Sequence, residues 1–335
     1  VTNYRNAQGM SADESTYNTL VTTSDWHPLL GTASMKNAPV DVDAESIMPG
    51  TGLLADNRYR TAEGGAGQLP YEVLSKTMGK LFRWAMGGNS THTLVSGTTY
   101  QSVHSFGTGA LPSRSVQLVR ELATGTEMID TFGGVTATGF EISMDKTGLL
   151  KVTIDTDFAS YSTVVAKATP TVSYPRRFGW KGFTAMTGTR TAATTTALAS
   201  CTTTLDGLRS FSVKATVATD TEDYRGNGLG IKTQPYAQLR DVQFTGEFDF
   251  LSSTLRDNHR TLTAFPILLQ FVTPTALSTG FETFQIDMPT VLVKEDPEPN
   301  MDGTLPTISV TGDVMISSTN STQLQLVQRT SDTTL

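Results

Sequence analysis

The chain has 335 residues, a formal net charge of −7, and only 38% hydrophobic and 17% charged residues. That length holds one large β domain or two ordinary ones. The acidic balance excludes the surplus of Lys and Arg on one face that a nucleic-acid-gripping protein needs. A single cysteine, Cys201, excludes an intrachain disulfide framework and a cysteine-based metal site. Thr, Ser and Gly fill the gap left by charge: 56 residues are threonine. Threonine is β-branched and suits a pleated, half-buried surface, so a β-rich protein is expected.

Residues 1–40 are polar, with Tyr4, Tyr17 and Trp26 scattered among them, and lack periodicity. They read as an extended arm, continuing to residue 60. The start at Val1 reads as a removed initiator Met or an incomplete beginning, and no signal peptide is visible. Residues 61–335 then read as a single domain. A glycine-rich turn at 61–69 leads to an expected helix over 70–86. Pro70 suits its first turn. Leu74, Met78, Leu81, Phe82 and Ala85 form one apolar face, and Gly87 and Gly88 stop the helix.

From residue 111 the pattern is β. Strands are expected at 115–122, 140–145 and 150–158, the last two forming a hairpin around Lys146–Gly148. Further strands are expected at 210–217, 238–251, 265–272, 281–288, 291–294, 308–316 and 323–329, with a short helix over 252–259. Pro289 would cost a central strand a ladder hydrogen bond, so 281–294 should lie at an edge or carry a kink. Segments 87–110, 159–200 and 218–237 read as long loops; such loops are uncommon in compact domains and usually functional, and three of them suggest surfaces that order against neighbours. No repeat of short fixed period is present. The regions 135–158 and 239–272 admit a reading as two halves of one sheet system.

Catalytic and metal patterns are missing from the sequence. His27, His92, His104 and His259 are too far apart for a local zinc motif. The glycines of 226–230 lack dinucleotide spacing, and Gly79-Lys80 lacks a phosphate loop around it. No Gly-x-Ser-x-Gly elbow occurs. Glu247 and Asp249 share a strand face and offer the carboxylate pair a glycosidase would need. No cofactor is implied. No apolar run approaches the ~18 residues that span a bilayer.

The strand patterns define wet and dry faces. Glu141, Ser143 and Asp145 alternate with Ile142 and Met144. Thr153, Asp155 and Asp157 share the polar face of the returning strand. Glu247 and Asp249 alternate with Phe244, Phe248 and Phe250. The wet faces are acidic. They read either as an ordinary solvated sheet surface or as the lining of a water-filled channel, where acidic groups repel phosphate and lysines would hold it.

In their order along the chain, these pieces resemble the major tail tube proteins of bacteriophages with long non-contractile tails (siphophages). The resemblance runs over roughly residues 60 to 330. It is carried by Gly64–Gly88, by Leu111-Pro-Ser-Arg-Ser-Val116, by the stretch from Phe132 to Asp145, by Leu208–Val213, by Leu239–Asp249 and by Ile286-Asp-Met-Pro289 with a closing hairpin through Gly312. The resemblance implies a tail-tube-type β-sandwich with one flanking helix. Six copies would join edge to edge into a ring, closing their inner sheets into one β-barrel. Rings would stack through loops and arms, and the lumen would hold the tape-measure protein and conduct double-stranded DNA without specific binding. Tail terminator and distal tail proteins would be further partners. The virion tail would be the location, after assembly in the host cytoplasm. On this reading Glu141, Ser143, Asp145, Thr153, Asp155, Asp157, Glu247 and Asp249 line the lumen. The loop carrying Asp220, Glu222, Asp223, Tyr224 and Arg225 stacks rings, together with the arm. The chain would not be an enzyme. The alternatives are another virion β protein (capsid decoration or baseplate) and a carbohydrate-active β enzyme.

Overall fold

The computed structural model describes residues 8–43, 58–122, 124–169, 174–217, 219–220, 230–300 and 305–335. The first strands are β1 (Gln8–Asp13), β2 (Asp25–His27), β3 (Ser34–Asn37), β4 (Val40–Asp43), β5 (Arg58–Ala62) and β6 (Gly65–Glu72). Helix α1 (Gly79–Ala85) follows. Then come β7 (Asn89–Ser96), β8 (Thr99–Ser105), β9 (Ser113–Glu121), β10 (Glu127–Met144), β11 (Lys151–Phe158) and β12 (Ser160–Ser162). A tight turn at Trp180–Gly182 leads to β13 (Phe183–Thr191), β14 (Ser200–Thr204), β15 (Leu208–Val217) and β16 (Arg240–Asp249). Helix α2 (Thr254–Arg260) precedes β17 (Phe265–Ala276), β18 (Phe281–Val293), β19 (Pro299–Asn300), β20 (Thr307–Val314) and β21 (Gln325–Thr330).

The protein is mainly β. All named strands but β4 and β5 belong to one antiparallel hydrogen-bonded network, which wraps round a shared apolar core. Alternation builds that core. Phe140, Ile142 and Met144 of β10, Val152 and Ile154 of β11, Val213 of β15, Phe244 and Phe248 of β16 and Val310 of β20 all turn to one side and are buried. Against them pack Val116 and Leu118 of β9, Leu269 and Phe271 of β17 and Phe284 and Ile286 of β18. Phe82 of α1 stacks on Phe284 with ring centroids 4.9 Å apart, so the helix plugs the core rather than coating it.

β10 and β18 organise the network, because each changes partners partway along. β10 pairs with β12 through Gly133 and with β11 from Thr136. β18 pairs with β21 through Asp287 and with β20 from Val291. Pro289 falls in that changeover, at a bulge against β17 between the pairs Ile267–Met288 and Phe265–Val291. The strand therefore has neighbours on both sides and accommodates the proline through a kink, not through an edge position.

The structure corrects several sequence expectations. Residues 65–72 are a strand: β6 makes a full ladder with β11, and Gly65 and Gly67 let the β3 backbone lie against it where a Cβ would collide with the carbonyls of Lys36 and Ser34. Pro70 sits in that strand, and the helix starts only at Gly79, after Thr77 takes a left-handed φ of 67°. Leu74 and Met78 are buried as their spacing suggested, but from a bridge to Arg177 and from the residue just before the helix. Gly87 and Gly88 do end the helix, both at positive φ, with N–H groups donating to the carbonyls of Trp84 and Arg83. The described part of the arm is not free, since β1 joins β9 and β3 joins β6. The region 87–110 is the hairpin β7–β8, and 159–200 holds β12 and β13. The closing hairpin through Gly312 is absent: Gly312 lies inside β20, which pairs with β16 and β18, while β21 pairs with β18 and β8.

Candidate functional site

The hairpin around Lys146–Gly148 forms as read, with Thr147 at φ 65° and the Gly148 N–H donating to the Asp145 carbonyl at 2.8 Å. It places Glu141 opposite Thr153 and Ser143 opposite Lys151. Ladders extend this face in both directions. On one side Asp155 lies opposite Gln68 of β6, and Gln68 opposite Ser34 of β3. On the other, Glu141 lies opposite Lys214 of β15, Lys214 opposite Gln243 of β16, and Gln243 opposite Asp313 of β20. Because paired residues project to the same side of a sheet, β3, β6, β11, β10, β15, β16 and β20 present one continuous wet face whose reverse is the apolar core.

Seven of the eight residues assigned to a lining lie on this face. Glu141, Ser143, Asp145 and Glu247 gather round one shallow depression with Ser210, Ser212, Thr245 and Ser309. The Ser212 hydroxyl donates to Glu141 Oε1 at 2.7 Å, and the Gln68 amide donates to Asp155 Oδ1 at 2.8 Å. Asp249 accepts from Arg209 Nε at 2.6 Å, and Thr153 stands beside Glu141. The eighth, Asp157, has the right parity but is buried under the segment 230–237. Lys232 Nζ meets its Oδ1 at 2.6 Å, and burial pushes its carboxyl above the ordinary value against the pull of that lysine. It anchors a crossing segment and does not meet solvent.

Sequence reasoning missed the basic members of the face. Lys214 and Lys151 are exposed in register with Glu141 and Ser143. Lys214 was readable from the period-two run Ser210, Ser212, Lys214, Thr216, but only once β15 is known to join β10. The face is therefore acidic in excess yet internally compensated, and rich in hydroxyls. Of the loop assigned to ring stacking, Asp220 is exposed, and Glu222, Asp223, Tyr224 and Arg225 lie outside the described residues.

Among the described residues no group of three His, Cys, Asp or Glu side chains could hold a metal ion. No helix is long and apolar enough to cross a membrane. Cys201 is half-buried, and burial pushes its thiol up to about 11, away from nucleophilic use.

What the geometry offers is an extended, hydrated, mixed-charge β surface backed by a dense core, the property of a structural wall. The phage tail tube protein family model matches residues 5–322, and the chain belongs to that family. A search of curated proteins found no match. The protein is thus a non-enzymatic structural component of the phage tail tube.

Proposed function

We propose that the wet face from β3 to β20 lines the lumen of the tube, in rings stacked along the tail. The continuity of that face across seven strands carries the reading, because a wall around a channel needs one uninterrupted solvated surface. Its chemistry suits passage. Exposed carboxylates repel phosphate, and the lysines stand beside carboxylates or hydroxyls that compete for them, so few counterions are released on contact with DNA. Fixed charges act only over a Debye length of about 8 Å at physiological salt, so the lining governs near contact and not long-range attraction. During assembly the same hydroxyl-rich wall would hold the tape-measure protein through exchangeable hydrogen bonds. Tail terminator and distal tail proteins would cap the ends, the loop around residues 220–229 would contact the next ring, and assembly would take place in the host cytoplasm before the protein resides in the virion tail.

Cryo-electron microscopy of assembled tubes tests this. Glu141, Glu247 and Asp249 should point to the axis, and a map with them on the outer surface overturns the lining. In phage, Asp145→Lys with Glu247→Lys should leave tubes intact and slow DNA ejection in a salt-dependent way, since each new phosphate contact adds about −0.9 to the slope of binding against log salt. Unchanged ejection would count against the lining.

A further inference from the structure

The pairing scheme of the first half of the chain recurs in the second. From β1 to β12 the ladders are β1–β2, β1–β9, β9–β10, β10–β12, β10–β11, β11–β6 and β6–β3. From β13 to β21 they are β13–β14, β13–β17, β17–β18, β18–β21, β18–β20, β20–β16 and β16–β15. Every pair is antiparallel, and the partners follow one another along the chain in the same order. Helix α1 lies between β6 and β9, and α2 lies between β16 and β17. The first half adds the hairpins β4–β5 and β7–β8, and β19 continues the line of β18 along β20.

The irregularities coincide as well. In the first half Val116 faces Phe132 and Arg114 faces Val135, with one extra residue on β10. In the second half Ile267 faces Met288 and Phe265 faces Val291, with one extra residue on β18. One step past each bulge the ladders run Thr136, Asp157, Ala66, Lys36 and Leu292, Asp313, Gln243, Lys214. β3 is therefore the counterpart of β15, with Ser34, Met35 and Lys36 in the places of Ser212, Val213 and Lys214. A shared bulge is a designed feature of a strand pair, not noise. Two copies of one tube fold stand in tandem, and they share one core.

The two folds join through the ladder of β21 with β8 and through β15. One edge pairs with β16 of its own fold and the other with β10, setting Lys214 opposite Glu141. β3 pairs through one edge with β6, and no ladder among the described residues uses the other. The counterpart of the β10 stretch that receives β15 is the chain after Val293, where Glu295, Asp296 and Glu298 are exposed and Asp296 carries an exposed ion pair to Arg260. Repeating the internal joint sets Lys36 of one copy against Asp296 or Glu298 of the next, as Lys214 is set against Glu141. A second observation agrees. The connection from β15 to β16 docks across the first fold, with Glu63 N–H donating to Gly230 O at 2.8 Å and Leu111 N–H donating to Pro235 O at 2.9 Å. The equivalent connection from β3 to β6 is the hairpin β4–β5, which leaves Val42 48% and Tyr59 58% exposed. On the next copy's second fold that hairpin would have its matching surface.

We propose that the edge of β3 pairs with the segment 294–298 of a second copy of this chain, and that a ring of six tube folds therefore contains three chains, not six. The proposal rests on the tube reading above and replaces the six-chain ring that the family resemblance implied. Head-to-tail joints of this kind close into rings and leave no free edge. Size favours three. Eight strands per chain (β3, β6, β11, β10, β15, β16, β20 and β18), spaced about 4.8 Å and tilted about 40°, give a backbone barrel roughly 48 Å across for three chains and roughly twice that for six. The wider ring would put the wall out of reach of a DNA duplex.

Cysteine cross-linking of assembled full-length protein tests the joint. In a Cys201→Ser background, Lys36→Cys is combined with Asp296→Cys or with Glu298→Cys. Oxidation of tubes should produce a ladder ending at three chains of 36.0 kDa each, with three-fold symmetry in cryo-electron microscopy. A ladder ending at six chains, or six identical chains round the ring, overturns the proposal and leaves the tube reading standing. Tubes without any cross-link in either pair overturn the joint itself. A protein that forms neither rings nor cross-links under any condition overturns both readings. Lys36→Glu alone should abolish ring closure, and adding Asp296→Lys with Glu298→Lys should restore it. A Lys36→Glu protein that still closes rings also counts against the joint.

Discussion

The sheet network carries polar residues on two surfaces that could hardly differ more. On the wet face, Glu141, Asp155 and Glu247 meet water and short side chains. Behind β18 and β9, the polar positions are buried. Asp287 has a side chain with no exposed surface and accepts two hydrogen bonds from Arg190, Nε to Oδ1 at 2.7 Å and Nη2 to Oδ2 at 2.6 Å. Those bonds hold the Arg190 guanidinium above its ordinary pKa. Gln285 receives the Ala199 N–H and returns its amide to the Ala199 carbonyl, and Gln117 does the same with Ala168 N–H and the Ala166 carbonyl. Arg114, fully buried, lies between Asp13 and Asp25. The same alternation therefore serves solvation on one surface and locking on the other, where crossing segments are pinned to the sheet by buried polar contacts.

The largest effect should come from breaking a lock. Asp287→Ala leaves Arg190 buried without its counterion and should cost about 3–5 kcal/mol in denaturant unfolding. Replacing both partners, Arg190→Met with Asp287→Leu, should recover much of that loss, since no charge is then stranded. If Asp287→Ala costs under 1 kcal/mol, the two surfaces are energetically alike and the contrast fails. Arg114→Met should cost less overall, about 1–3 kcal/mol, but should concentrate its effect on β1, whose amides would exchange with solvent faster than those of β10.

An intermediate effect is set by pH. His27 and His104 are fully buried, and burial lowers both pKa values to about 3 from 6.5. The folded form keeps them neutral while the unfolded chain takes up protons below 6.5. Their contribution is therefore fully present above 6.5 and is lost as pH falls toward 3. Each histidine adds a slope of about 1.4 kcal/mol per pH unit in that window. His104→Leu should make stability at pH 5 less sensitive to acid by about 2 kcal/mol relative to pH 7. An unchanged slope would mean that His104 is protonated in the fold.

The wet surface was the legible one. Period-two alternation gave the hairpin at 140–158 and the polar parity of Glu141, Thr153 and Glu247, because one face in water and one in the core leaves its mark on every second residue. The locked side was not legible. Asp287 and Gln285 alternate just as Glu141 and Ser143 do, and only the position of segments far away in sequence decides which are covered. The misread helix at 70–78 has the same origin: Leu74 and Met78 carry helical spacing, but the ladder of β6 with β11 claims the residues before them. The β7–β8 hairpin was missed because Ser, Thr and His fill it, leaving little apolar contrast to reveal its period. The tandem pairing was hidden because the two folds share a topology and bulges while their sequences coincide only at points such as Ser34 with Ser212 and Lys36 with Lys214.

The smallest expected effect is on the wet face, and it separates the two surfaces most cleanly. Glu141→Gln and Glu247→Gln remove charges that are exposed or half-exposed, with a hydroxyl as the strongest contact of Glu141. Exposed pairs of this kind contribute about 0–1 kcal/mol, so thermal and denaturant stability should move by about 0.5 kcal/mol or less. A surface selected for stability would respond more. If these variants fold and assemble normally, the acid excess on β10 and β16 is free of any structural duty, and its retention then answers to what passes along the wall. If instead either one destabilises by 2 kcal/mol or more, the depression around Glu141 is a structural network in its own right, and the charge of the face cannot be assigned to passage.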